Sequence, residues 1–165
     1  MILMAKENYK NLEKIVVNAG IGRLSSQPNF EDKVLPELMK ELSLITGQKP
    51  ATRSAKVSIA GFKLRAGTVV GLKVTLRGKR MREFLEKLIR SALPRVRDFR
   101  GLKIESVDKS GNLTIGLKEQ LIFPEISPET SKVTFGIEIT LVPKVRDRDR
   151  TVALYKELGI PFSKK

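Results

Sequence analysis

The stretch that decides the fold is GLKVTLRGKRMREFLEKLIRSALP, residues 71–94. In its first part Leu72, Val74 and Leu76 alternate with polar residues, which predicts a strand with one buried face. After Gly78 the apolar residues recur every three or four positions, which predicts an amphipathic helix before Pro94. Its stripe consists of Met81, Phe84, Leu85, Leu88, Ile89, Ala92 and Leu93. Together these patterns predict a sheet covered on one face by helices.

The rest of the chain adds further strands and helices in mixed order. We predict strands over residues 14–18, 51–60, 113–117 and 133–141, and helices over residues 29–45 and about 147–158. We expect the strand over 133–141 to be the longest. Pro36 is awkward inside the first helix, so that helix either starts near Leu35 or is kinked there. Because most strands alternate, we predict an α+β fold with a mainly antiparallel sheet and helices packed on one face.

The length of 165 residues and the 41% hydrophobic content predict a single domain over residues 1–165. Glycines at positions 61, 67 and 71 predict a long exposed loop at about 54–71. No apolar run reaches the roughly 18–20 residues of a membrane span, so we expect no membrane partner. The absence of cysteine excludes disulfides and fits a reducing, cytoplasmic setting.

The positive charge is concentrated in the middle of the chain. The net charge is +14, and residues 49–103 hold sixteen basic and three acidic side chains. Residues 1–48 are neutral overall, and residues 104–165 carry a net charge of +1. Charge segregated in this way predicts a basic surface for a polyanionic partner, with nucleic acid as the leading class.

The sequence offers no catalytic constellation. Histidine and cysteine are both absent, which removes the commonest general base, the thiolate nucleophile and the usual metal ligands. Gly71 and the Gly78-Lys79 pair are too far apart for a phosphate-binding P-loop, and Arg80 stands where Ser or Thr is required. We therefore predict a binding protein that is not an enzyme and has no cofactor and no metal site.

Polar residues of two strands predict the binding face. If the apolar residues face the core, Lys14 and Asn18 face outward from one strand, and Lys73, Thr75 and Arg77 from another. Such side chains suit phosphate and sugar contacts. Aromatics make up only 5% of the chain, so stacking on single-stranded bases is excluded, and a folded RNA fits better. A DNA-compacting or membrane-surface protein would instead carry its charge on disordered tails or an amphipathic helix.

Two further segments have alternative interpretations. The loop at about 54–71 carries Lys56, Lys63 and Arg65 beside unusually apolar residues, so it is either a solvated hairpin or a contact with a partner. Residues 104–138 have a net charge of −3. They form either the face turned away from RNA or a docking surface for a basic protein.

Several longer runs closely resemble the universal large-subunit ribosomal protein family that binds 5S rRNA, the family numbered five in bacteria. The resemblance follows the chain in order over nearly its whole length. The runs are KIVVNAGIG (14–22), ITGQKP (45–50), AKVSIAGFKLRAGTVVGLKVTLRGKRM (55–81), LPRVRDFRGL (93–102) and EQLIFPEI (119–126).

The resemblance implies a structural role in the central protuberance of the large subunit, where the family holds 5S rRNA against the large-subunit rRNA. It assigns rRNA contacts to Asn18, Gln48 and Thr75, and charge and alternation extend the set to Lys14, Lys49, Lys73 and Arg77. It also implies that the loop over 55–71 contacts the P-site tRNA, through Lys56, Lys63 and Arg65. A further implied partner is the small-subunit head protein numbered thirteen, across the subunit interface.

Overall fold

A computed structural model describes residues 8–62 and 64–163. Within these residues the chain forms five strands, β1 Leu12–Gly20, β2 Ala51–Ser54, β3 Val69–Leu76, β4 Leu113–Leu117 and β5 Ile137–Pro143. The same part of the chain contains three α-helices, α1 Leu35–Thr46, α2 Gly78–Lys87 and α3 Arg148–Glu157. The helical path of α2 continues through a wide turn over Leu88–Ala92 and a tight turn over Leu93–Arg95. Strands and helices therefore follow the mixed order that the sequence predicts.

The strands form one antiparallel sheet in the order β2-β3-β1-β5-β4. The inward residues of β1, β3, β4 and β5 are buried and belong to the same core cluster as the apolar residues of the helices, whereas β2 is exposed. Phe84 of α2 stacks on Phe123, with ring centroids 6.1 Å apart. The predicted α+β class, with an antiparallel sheet and helices on one face, is confirmed.

Two predicted strands are shorter in the structure. The strand over 51–60 ends at Ser54, where the register with β3 shifts, and Val57 and Ile59 are 70% and 46% exposed rather than buried. The strand over 133–141 begins only at Ile137. The backbone of Val133 and Phe135 bonds instead to the Gln120 side chain. β5 is therefore shorter than predicted, and β1 is the longest strand among the described residues.

Pro36 lies in the first turn of α1. A proline is tolerated there because its fixed φ suits the first turn of a helix. A wide turn over Phe30–Val34 precedes the helix. Of the two alternatives for Pro36, the start of the helix near Leu35 is therefore correct.

The buried side chain of Tyr155 anchors α3 to the sheet. Its hydroxyl lies 2.7 Å from the carbonyl of Gly111 and 3.2 Å from that of Leu141 in β5. Burial raises the pKa of this phenol far above its usual range. The hydroxyl stays protonated and can donate to these carbonyls, which fixes the end of the chain against β4 and β5.

Candidate RNA-binding surface

The polar residues predicted for β1 and β3 lie side by side on the sheet face opposite the core. In the antiparallel register Asn18 pairs with Lys73, and Val16 pairs with Thr75. All four are partly exposed, whereas their chain neighbours Val17 and Val74 are buried. We call this side of the sheet the outward face. The structure thus brings Asn18, Lys73 and Thr75 together as one polar group.

The turn after α1 places Gln48 against this group. Gly47 ends the helix with a left-handed conformation (φ 68°), which glycine adopts without strain. Thr46 Oγ1 donates to the carbonyl of Leu42 at 2.7 Å, and Gln48 Nε2 donates to the carbonyl of Thr75 at 3.3 Å. Gln48 therefore both lies beside the outward face and holds this turn against β3.

Lys14 and Arg77 lie toward one end of the outward face. Lys14 Nζ donates to Glu13 Oε1 at 3.0 Å, and this ammonium holds the pKa of the Glu13 carboxyl below its usual value. Lys14 is therefore partly neutralised by its own neighbour. Arg77 is exposed and directly precedes α2, and Lys49 is exposed directly before the buried Pro50. These three residues flank the central polar group.

Sequence reasoning left several residues out of the site. Arg53 pairs with Gly71, and Gly71 pairs with Gly20. The guanidinium of Arg53 therefore lies beside a part of the outward face where two glycines carry no side chain. A Cβ atom added at Gly20 would meet nothing within 4 Å. A ligand backbone can therefore approach closely there. Alternation along β2 places Arg53 on the outward face once the strand is known to end at Ser54.

Other missed residues come from α2 and from the far side of the sheet. Arg80 Nη1 donates to Gln48 Oε1 at 3.4 Å, a contact that no local pattern predicts. Thr140 lies beside Val16 on the outward face, and its hydroxyl is 3.4 Å from that of Thr114. The polar face therefore extends over β5 and β4.

The acidic side chains of the segment 104–138 lie in different parts of the fold. Glu138 pairs with Asn18 on the outward face, and Glu125 binds Lys87 at 2.7 Å. Asp108 accepts from the backbone and side chain of Asn112. Glu138 lies on β5, next to the central strand β1, whereas Asp108 precedes β4 and Glu125 follows it. Both interpretations of the segment therefore stay predictions.

The connection between β2 and β3 projects from the sheet. Ile59 and Leu64 form an isolated antiparallel bridge within it, with N–O distances of 2.9 and 3.2 Å. Lys56 and Arg65 are exposed on either side of this bridge. Lys63, the third basic residue expected here, lies outside the described residues. The geometry is that of an extended hairpin with solvent-facing charge.

The described part of the chain contains no group of three or more acidic side chains that could hold a metal ion. None of its helices has the length and hydropathy required to cross a membrane. An antiparallel sheet with helices on one face and an open, polar and basic second face is an architecture that occurs among α+β RNA-binding domains.

Comparison with known proteins identifies the family within this class. The family described as ribosomal protein L5 matches residues 10–65, and the family described as its C-terminus matches residues 69–162. The large ribosomal subunit protein uL5 of Malacoplasma penetrans is 49% identical over 98% of this chain and 88% of its own length. That of Desulforamulus reducens is 48% identical over 98% of this chain and 91% of its own length.

The chain therefore belongs to the ribosomal protein L5 family. It is a structural constituent of the large ribosomal subunit and not an enzyme, which confirms the class expected from the sequence.

Proposed function

We propose that this ribosomal protein binds 5S rRNA with its outward face and helps to attach it to the large-subunit rRNA in the central protuberance. One observation carries the proposal. Three separate segments, containing Asn18, Gln48 and Thr75, converge on one open patch. Lys73 adds a positive charge in register with Asn18. Polar groups flanked by cations suit the phosphates and 2′-hydroxyls of a folded RNA.

The distribution of charge on the outward face favours binding of the RNA phosphates on one side of this face. Glu138 lies beside Asn18 on β5, and a carboxylate repels a phosphate. On the other side of Asn18, Lys73, Arg53 and Arg77 are cationic. The RNA backbone therefore runs over β3 and β2, and Asn18 lies at the border of the phosphate contacts. Glu138 can accept a hydrogen bond from a ribose hydroxyl or a base amine there.

The test is the affinity for 5S rRNA across a salt series, with a folded RNA of similar size as competitor. Charge alone would bind both RNAs equally, and both affinities would fall steeply with salt. We expect a preference for 5S rRNA of at least about a hundredfold, or roughly 2.7 kcal/mol. Equal affinity at every salt concentration would contradict the proposal.

Two finer contacts belong to the same proposal. The hairpin between β2 and β3 extends Lys56 and Arg65 away from the sheet, where their charge can meet the backbone of the P-site tRNA. The exposed acidic side chains of residues 104–138, Glu105 and Glu129 among them, can face a basic protein such as the small-subunit head protein thirteen.

Cross-linking in assembled ribosomes tests both contacts. With P-site tRNA bound, we expect photo-cross-links to the tRNA from a probe at Val57, next to Lys56, because Val57 is 70% exposed. A probe at Glu129 is expected to cross-link to the head protein. A probe at the exposed Glu157 of α3 is the control and is expected to yield neither product. If the Val57 probe labels only rRNA, the tRNA contact is wrong.

A further inference from the structure

A groove lies at the end of the sheet where β1 begins and where β3 and β5 end. Its volume is about 670 Å³, within the range of about 300–1,000 Å³ usual for ligand sites. Its lining comes from the segment before β1, from the first two residues of β1, from the first turns of α2 and from the residue after β5. The charged lining residues are Lys10, Glu13, Lys79, Arg82 and Lys144.

Positive charge dominates this groove. Lys79 is 3.7 Å from Glu83, and Glu13 is already bonded to Lys14. Within residues 8–62 and 64–163, Lys10, Arg82 and Lys144 have no carboxylate within 4.0 Å. Three cations from three chain segments therefore converge, and no ion pair within those residues neutralises them. Such an arrangement costs stability unless an anion occupies the groove.

Arg82 gives the groove a specific donor. Its Nε is buried and is the one such side-chain polar atom in the described part of the chain that has no hydrogen-bond partner. Buried polar atoms are normally bonded, so a hydrogen bond from this donor to a ligand oxygen or a water would be favourable. The guanidinium is a planar group suited to phosphate oxygens.

The first turn of α2 adds further donors to the same groove. It starts at Gly78, which lines the groove, and it has neither an acidic residue nor a side-chain cap. Its free N–H groups carry the partial positive charge of a helix N-terminus.

We propose that this groove binds a backbone phosphate of RNA, as an extension of the outward face around the end of the sheet. The proposal rests on the proposed function, because the groove lies next to the end of that face. Glu13 and Gly78 line the groove, and their chain neighbours Lys14 and Arg77 flank the outward face. An RNA backbone that runs from β2 along β3 toward Arg77 therefore meets the groove at the next phosphates.

The test compares the salt dependence of 5S rRNA binding between charge-matched variants. Lys10 and Lys144 are exposed, so K10Q/K144Q removes two groove charges without altering the core. K109Q/K118Q removes two exposed charges elsewhere and is the control. We expect the slope of log affinity against log salt to become shallower by at least about one for the groove variant. The control slope is expected to stay that of the parent. Equal changes in both variants would overturn the proposal.

Two additional measurements separate the remaining outcomes. In the full chain, NMR of the Arg82 Nε–H is expected to shift with 5S rRNA but not with millimolar inorganic phosphate. A saturable shift with phosphate and an unchanged slope would mean a site for free anions and would overturn the RNA assignment. If the parent chain shows no preference for 5S rRNA, the proposed function fails. The slopes measured with the competitor RNA then still decide whether the groove binds RNA phosphate.

Discussion

Replacing Asn18 and Thr75 together by alanine is expected to weaken 5S rRNA binding about a hundredfold. Neither side chain has a hydrogen-bond partner among residues 8–62 and 64–163, so both are available to a ligand. Each hydrogen bond lost contributes about 0.5–1.5 kcal/mol, or more toward a charged phosphate. Two such losses amount to roughly 2.7 kcal/mol, which is a factor of about one hundred. The measurement is the dissociation constant at one fixed salt concentration.

A matched control separates the contact from a change in folding. Thr52 of β2 pairs with the buried Leu72 and therefore points away from the outward face, so T52A is expected to bind as the parent does. Because the two replaced side chains make no hydrogen bond within the described part of the fold, the double variant is expected to melt within a few degrees of the parent. Parental affinity in the double variant would mean that RNA binds elsewhere on the molecule.

Replacing Gln120 by methionine is expected to destabilise the fold by about 2–3 kcal/mol, because it leaves a buried donor without an acceptor. The Gln120 side chain is fully buried, and its Oε1 accepts from the backbone N–H of Phe135 at 2.9 Å. Its Nε2 donates to Val133 O at 2.7 Å and to Glu41 Oε2 at 3.1 Å. Methionine keeps the volume but none of these bonds. Chemical denaturation measures the effect.

The exposed Gln27 provides the control, because Q27M makes the same chemical change outside the core and is expected to leave stability within about 0.5 kcal/mol. S131A is informative as well. It removes a 3.0 Å bond from Gln120 and a 3.3 Å bond to the carbonyl of Val133. Because Gln120 and Val133 stay bonded to each other, the expected cost is less than about 1 kcal/mol. If the Q120M variant unfolds at the same denaturant concentration as the parent chain, the hydrogen bonds of Gln120 do not hold residues 133–135 in place.

The parts of the fold that the sequence predicts correctly depend on local periodicity. The alternation over 72–77 and the stripe from Met81 to Leu93 each reflect one face buried in a single core. The two strand errors have non-local causes. Phe135 bonds to Gln120, fifteen residues earlier, and a register shift against β3 ends β2. The hydrophobic periodicity of one segment predicts neither the bond to Gln120 nor the register shift.

The same distinction applies to the candidate site. Alternation places Asn18 and Thr75 on one face, but their adjacency depends on the pairing of β1 with β3. Glu138 belongs to an acidic segment of the sequence, and only the sheet order places it beside Asn18. Arg80 reaches Gln48 because α2 packs near the end of α1. Contacts between distant segments were therefore beyond prediction from one sequence.

The central position of β1 has a consequence for biosynthesis. β1 emerges first from the translating ribosome, yet its two neighbours are β3 and β5, and β5 ends only at Pro143. Until then one edge of a strand carrying Ile15 and Val17 stays open, and an open apolar edge is a template for pairing with other chains. The nascent chain is therefore expected to expose this edge to pairing with other chains until β5 closes it.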